Sequence, residues 1–131
     1  MDRQLAARLL CVSIGGFFAL QGVWAFVAPR SWFDALATFE PFNEHFIHDI
    51  GTFQMGIGVA AVVSAFRVKA IVAGLAGLAT FQVLHVVSHA IDRDSGGRPG
   101  FDIPSLSILA ILTVIALVIV WRSPETEPGA R

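Results

Sequence analysis

Long apolar stretches alternate with short polar ones along the chain. Four are long enough to cross a hydrocarbon layer as helices, which takes about 20 mostly apolar residues: 5–28, 44–66, 70–91 and 104–121. Pro29 closes the first, the Arg67 and Lys69 pair the second, and Arg122 the fourth. The third runs to Ile91 and into the polar "DRDSGGRPGFD". The connections are short, so neighbours should run antiparallel. The expected fold class is therefore all-α, an integral membrane four-helix up-down bundle forming one transmembrane domain over 1–131.

The connection "PRSWFDALATFEPFNEHF" carries a pattern of its own. Ser31 and Asp34 make a capping-box-like start, and Trp32, Leu36 and Phe39 share one helical face. This predicts a short interfacial helix between spans 1 and 2, lying on the outer leaflet. Pro41 ends it, and Asn43 suits the N-cap of the second span. The Gly/Pro-rich connection after Ile91 is expected to be a mobile loop.

Composition agrees with the pattern. The chain is 55% hydrophobic and 15% charged, where soluble domains carry about 25% charge. Mean hydropathy is +0.70. A net charge of −1 with no basic face leaves no nucleic-acid partner. The single cysteine, Cys11, excludes an intramolecular disulfide and thiolate metal clusters. The first stretch is expected to be a retained span. Its apolar run exceeds the roughly 7–15 residues of a signal core, no small-residue cleavage site follows, and "ARLLC" lacks the small residue a lipoprotein signal needs.

Basic residues set the orientation. Arg3, Arg8, Arg67, Lys69, Arg122 and Arg131 collect on one side. The other holds Arg30, Arg93 and Arg98 diluted by Asp34, Glu40, Asp92, Asp94 and Asp102. Both termini are therefore expected in the cytoplasm. Trp24 and Trp32 mark the outer interface and Trp121 the inner one.

All four histidines lie in "NEHFIHDIGTF" and "FQVLHVVSHAID". His45, His48, Asp49 and Thr52 share one face of the second span, and Gln82, His85, His89 and Asp92 one face of the third. At ~1.5 Å per residue, Asp49 lies about 7–8 Å inside its helix and His85 roughly 10 Å from the end of its own. The antiparallel pair thus places both sets at one height below the outer interface. If the faces meet, they form a single cluster. Ionisable residues inside a span normally face the bundle interior or water and mark function.

Several readings fit these residues. The first is a transition-metal site for Zn, Fe or Cu, with His45, His48, Asp49, His85 and His89 as ligands and Thr52, Gln82 and Asp92 as orienting partners. The second is haem between histidines of the facing helices, with Gly51, Gly56 and Gly74 making room. A bland alternative is that Glu44, Asp49 and His89 complement helix-end dipoles while His48 and Asp92 bond across a wet rim. A proton relay or a polar substrate pocket also stays open. Gln21 faces either the cluster or a neighbouring helix. Gln54 lies about 180° from His45 and is left outside the site. The fourth span, almost without polar atoms, is expected to be structural and lipid-facing. Gly15, Ala19, Ala60, Ser64, Ala73 and Gly77 offer small-xxx-small packing pairs. Partners are lipid, with a homo-oligomer or a larger complex in which the chain is an accessory subunit.

On "FVAPRSWFD", "FNEHFIHDIGTFQMGIGVA" and "LHVVSHAID", the chain resembles the DoxX-like and related small four-span bacterial membrane proteins. The resemblance implies the four-helix bundle, and the expected location is a bacterial inner membrane. It implies no settled activity. Membrane hydrolases and di-iron desaturases also use "HxxxH", but with more histidines or more helices than here. No catalytic residue is assigned, and the enzyme question stays open, leaning towards no.

Overall fold

The computed structural model describes residues 3–67 and 70–122. Lys69 and Arg131, two charges in the orientation argument, lie outside them. Five helices follow one another: α1 (Arg3–Val27), α2 (Pro29–Leu36), α3 (Glu44–Ala65), α4 (Ile71–Ile91) and α5 (Pro99–Trp121). The long four have the length and apolarity to span a bilayer. They stand in a ring in the order α1, α3, α4, α5, each antiparallel to its neighbours, and α1 also touches α4 across the centre. Leu20, Phe53, Phe66 and Ile91 are among many large apolar side chains turned outward, as a lipid-embedded bundle requires.

α1 and α3 pack most intimately, and glycine is the reason. A Cβ on Gly58 would stand 2.5 Å from the Ala19 nitrogen and the Gly15 carbonyl oxygen. One on Gly22 would stand 2.5 Å from the Gly51 oxygen and the Met55 nitrogen. In lipid, where apolar burial gives helices no reason to associate, such close approach supplies the van der Waals contact. Of the predicted small-residue positions, Gly15 and Ala19 lie in this seam, and Ser64 faces Gly74 between α3 and α4. The half of the bundle near the chain termini is closed by Ile14, Phe18, Ala61, Leu75, Leu78 and Ala116. There Cys11 donates to the Ala61 carbonyl at 3.2 Å.

The opposite end, the α2 end, departs from expectation in three places. First, α2 starts at Pro29, which suits the first turn, and no side chain caps it. Ser31 instead accepts from Trp24 Nε1 at 3.3 Å and Asp34 pairs with Arg30 at 3.0 Å. Trp32 and Phe33 are buried against Ala25 and Ile47, and Trp32 Nε1 donates to Gln21 Oε1 at 2.9 Å. The helix is thus docked into the bundle by its aromatic face. Second, α5 begins at Pro99, five residues before the expected 104. Asp102 Oδ2 accepts from the Arg98 backbone N–H at 2.7 Å, which holds the extra turn. Pro104 is tolerated inside it, with Ser105 Oγ donating to the Phe101 carbonyl at 2.6 Å. Third, the 92–98 connection is tied down. Arg98 donates to the Ala35 carbonyl at 2.8 Å and Gly97 N–H to the Thr38 carbonyl at 3.3 Å. Gly97 has φ +71, and any side chain there would meet the Phe39 ring. Asn43 caps α3 as expected, accepting from the Phe46 N–H at 3.1 Å.

Candidate functional site

α3 and α4 carry the histidines as the sequence places them, but the two sets point in different directions. The buried face of α3 is Ile47, Gly51, Gln54, Gly58 and Ala61. The tight seam with α1 fixes that rotation, so the opposite stripe of His45, Asp49 and Thr52 turns outward. His45 Nε2 lies 3.7 Å from Asp49 Oδ2, with side chains 87% and 53% exposed. An ion pair so open to its surroundings adds little stability. Thr52 Oγ1 donates to the Asp49 carbonyl within its own helix at 2.8 Å. His48 lies half-buried against Phe26 of α1, ring centroids 5.1 Å apart.

On α4 the face runs from buried Gln82 through half-buried His85 and His89, and the two histidines meet. The His85 and His89 Nε2 atoms stand 3.1 Å apart. His85 rests on Phe81 and His89 against Phe39, the residue that also covers Gly97. Asp102 of α5, buried, sits within electrostatic reach of His85. One turn below, Gln82 Nε2 donates to Thr113 Oγ1 of α5 at 2.8 Å, and Thr113 donates on to the Leu109 carbonyl at 2.9 Å. Asp92 is exposed at the end of α4.

Among the described residues, no group of three or more His, Cys, Asp or Glu side chains is gathered as a metal ion would need. No hydrogen bond, ion pair or ring contact there joins His45, His48 or Asp49 to His85 or His89. The expected single cluster is therefore divided: a pair on α4 inside the bundle, and an outward stripe on α3. Of the expected orienting partners, Gln82 lies beside the pair, while Thr52 and Asp92 do not. The glycines considered as room for haem do other work. Gly51 receives the α1 backbone, Gly74 faces Ser64, and Gly56 points away from the bundle.

The α4 pair has a geometry with chemical meaning. Two imidazole nitrogens bound to one tetrahedral ion at ~2.0–2.1 Å stand roughly 3.3–3.4 Å apart. The observed 3.1 Å is close to that and equally suits an N–H···N bond between neutral rings. The pair supplies two ligands, which leaves further coordination positions to water or an incoming group.

The site includes three residues the sequence reading left out or set aside: Asp102, Thr113 and Gln54. Asp102 reads in the sequence as a loop charge, and Thr113 belongs to the span expected to be structural and lipid-facing. Gln54 lies opposite His45 on the helix, and that angle is what buries it. Its Oε1, with Gln82 Oε1 and His85 Nδ1, has no hydrogen-bond partner among the described residues. An open cleft at the α1–α2 corner, lined by Arg30, Phe42 and Glu44, touches none of the histidines.

Comparison of the chain with known protein families, with curated proteins and with solved structures gives no match.

Proposed function

We propose that this small multi-pass membrane protein binds one transition-metal ion, Zn, Fe or Cu, through His85 and His89 at the extracytoplasmic end of α4. The supporting observation is the 3.1 Å separation of the two Nε2 atoms on adjacent turns of a helix face turned into the bundle. Imidazole suits all three metals. Two protein ligands under the cap formed by Phe39 and the 92–98 connection leave the ion open to an exchangeable ligand. That favours capture, transfer or redox service over a closed structural site. The reading places the protein in a bacterial inner membrane with both termini in the cytoplasm.

Plasma mass spectrometry of untagged protein in mild detergent tests it. The expected result is near-stoichiometric metal that is lost in the His85→Ala, His89→Ala double variant and kept in His45→Ala. No metal after reconstitution with Zn, Cu and Fe would overturn the proposal.

A second reading has its own support. The outward stripe of Glu44, His45, Asp49 and Thr52 is polar surface on a helix otherwise flanked by Phe46 and Phe53. Such groups suit a protein neighbour better than lipid. On this reading the chain is an accessory subunit. It should co-purify with a larger complex whether or not chelator is present, and an Asp49→Leu variant should come away alone.

A further inference from the structure

Polar groups are distributed unevenly inside the bundle, and the three buried side-chain atoms without a hydrogen-bond partner among the described residues all lie in one part of it. Gln54 and Gln82 are more than nine-tenths buried, at 6% and 2% exposure. Their register puts them level. Ser64 lies beside Gly74 and Ile57 beside Gly77 across the α3–α4 pair, and the same antiparallel progression brings Gln54 opposite Gln82. Gln54 is ten residues into α3 and Gln82 nine from the end of α4, so both sit about 13–15 Å from the α2 end. That is close to the middle of a hydrocarbon layer about 30 Å thick. His85 Nδ1 lies one turn nearer the α2 end.

Below this level the interior is closed. Leu78 is one turn inward of Gln82 and Ala116 one turn inward of Thr113, and both are fully buried. Leu75, Ile14 and the edge-to-face pair of Phe18 and Phe81 at 5.1 Å complete the floor. Ser64 and Cys11, further down, are satisfied by the Ala61 carbonyl.

A buried amide oxygen without a donor costs about 1–3 kcal/mol, and buried polar groups are paired in the great majority of cases. Three such atoms lie over a single turn, with the closed apolar core on one side and the half-buried His85 and His89 on the other, and a small hydrogen-bonding guest would complete them. Two of the three are obligate acceptors, so the guest must donate.

We infer that the α2-end half of the bundle is a one-sided vestibule. It is entered past His85 and His89, binds water and other small hydrogen-bond donors between Gln54, Gln82 and His85, and is sealed towards the chain termini. The site receives a guest from one face and does not pass it through. The inference needs no bound metal, so it stands or falls apart from the proposal above.

Thiol accessibility tests it cleanly, because Cys11 is the only native cysteine. Gln54→Cys and Gln82→Cys are placed singly in a Cys11→Ala background, in chelator-washed protein reconstituted into liposomes. Silver ion is applied to one face, and thiols left unprotected are counted with a fluorescent maleimide after denaturation. Silver needs water to reach a thiol. The expected result is full protection of both positions from the α2 face, matching an exposed His45→Cys control, and none from the other face. No protection beside a protected control means a dry interior and overturns the inference. Protection from both faces means a through-path and overturns the seal. If neither variant folds, water-to-protein magnetisation transfer in solid-state NMR of the native chain decides. Transfer to the Gln54 and Gln82 side-chain amides exceeding that to Leu75 and Leu78 supports the vestibule, and equal, slow transfer to all four rejects it.

Discussion

Among the described residues, the one side-chain hydrogen bond between α4 and α5 is Gln82 to Thr113, and Thr113 is fully buried. Thr113→Val keeps the shape of the side chain and removes the hydroxyl, which leaves Gln82 Nε2 without an acceptor. Side-chain bonds between membrane helices average about 0.6 kcal/mol and reach about 1.7. A buried donor with no water nearby lies at the upper end of that range, whereas one that finds water in a vestibule loses less. The expected loss is therefore small, about 0.6 kcal/mol, in denaturant unfolding from detergent. The partner change, Gln82→Leu, also removes an unpartnered oxygen and should cost no more. A double-mutant cycle isolates the pair. A coupling near zero would mean that the two side chains do not bond in the membrane.

At the level of elements, rotation about a helix axis decided what the sequence made legible. The four spans, the Asn43 cap and the antiparallel order all follow from apolar length and short connections, and the structure agrees with them. His85 and His89 are expected on one helical face of α4, and the structure brings their rings together there. The facing of α3 was not legible in the sequence. Its polar stripe invited an inward reading, but backbone contact through Gly51 and Gly58 outweighs it and turns His45 and Asp49 away. Glycine in a span is a quiet signal, and heptad spacing on both helices, Gly15 with Gly22 and Gly51 with Gly58, was the available clue. Gly58→Ala tests that ordering of forces. Its Cβ falls 2.5 Å from two backbone atoms of α1, where no rotamer change gives relief. The expected cost is about 1–3 kcal/mol, as for overpacking elsewhere, read as a lowered thermal midpoint. Gly56→Ala, with nothing within 4 Å, should be neutral or slightly stabilising through helix propensity. Equal effects of the two would show that the seam does not set the rotation of α3.

Among the described residues the α2 end of the bundle holds the unpartnered polar atoms, the other end is mostly apolar inside, and a cap joins the 35–39 and 97–98 segments over the α2 end. Nothing in the sequence pairs 35–39 with 97–98, since the bonds are Arg98 to the Ala35 carbonyl and Gly97 to the Thr38 carbonyl, and backbone acceptors leave no residue signature. The expectation of a mobile loop followed from Gly and Pro content. Here those residues serve a tight turn, with Gly96 at φ +134 and Gly97 at +71, that brings Phe39 over His89. If the cap governs access to the histidine pair, loosening it should change rates before it changes the fold. Arg98→Ala removes the side-chain bond and leaves the backbone one. Its unfolding midpoint should stay close to that of the parent, because exposed loop contacts contribute little to global stability. Hydrogen exchange at the Gly97 amide should quicken, and silver protection at Gln82→Cys should arrive sooner from the same face. Faster exchange without faster protection would separate the loop from the entrance and place the way in between the helices instead.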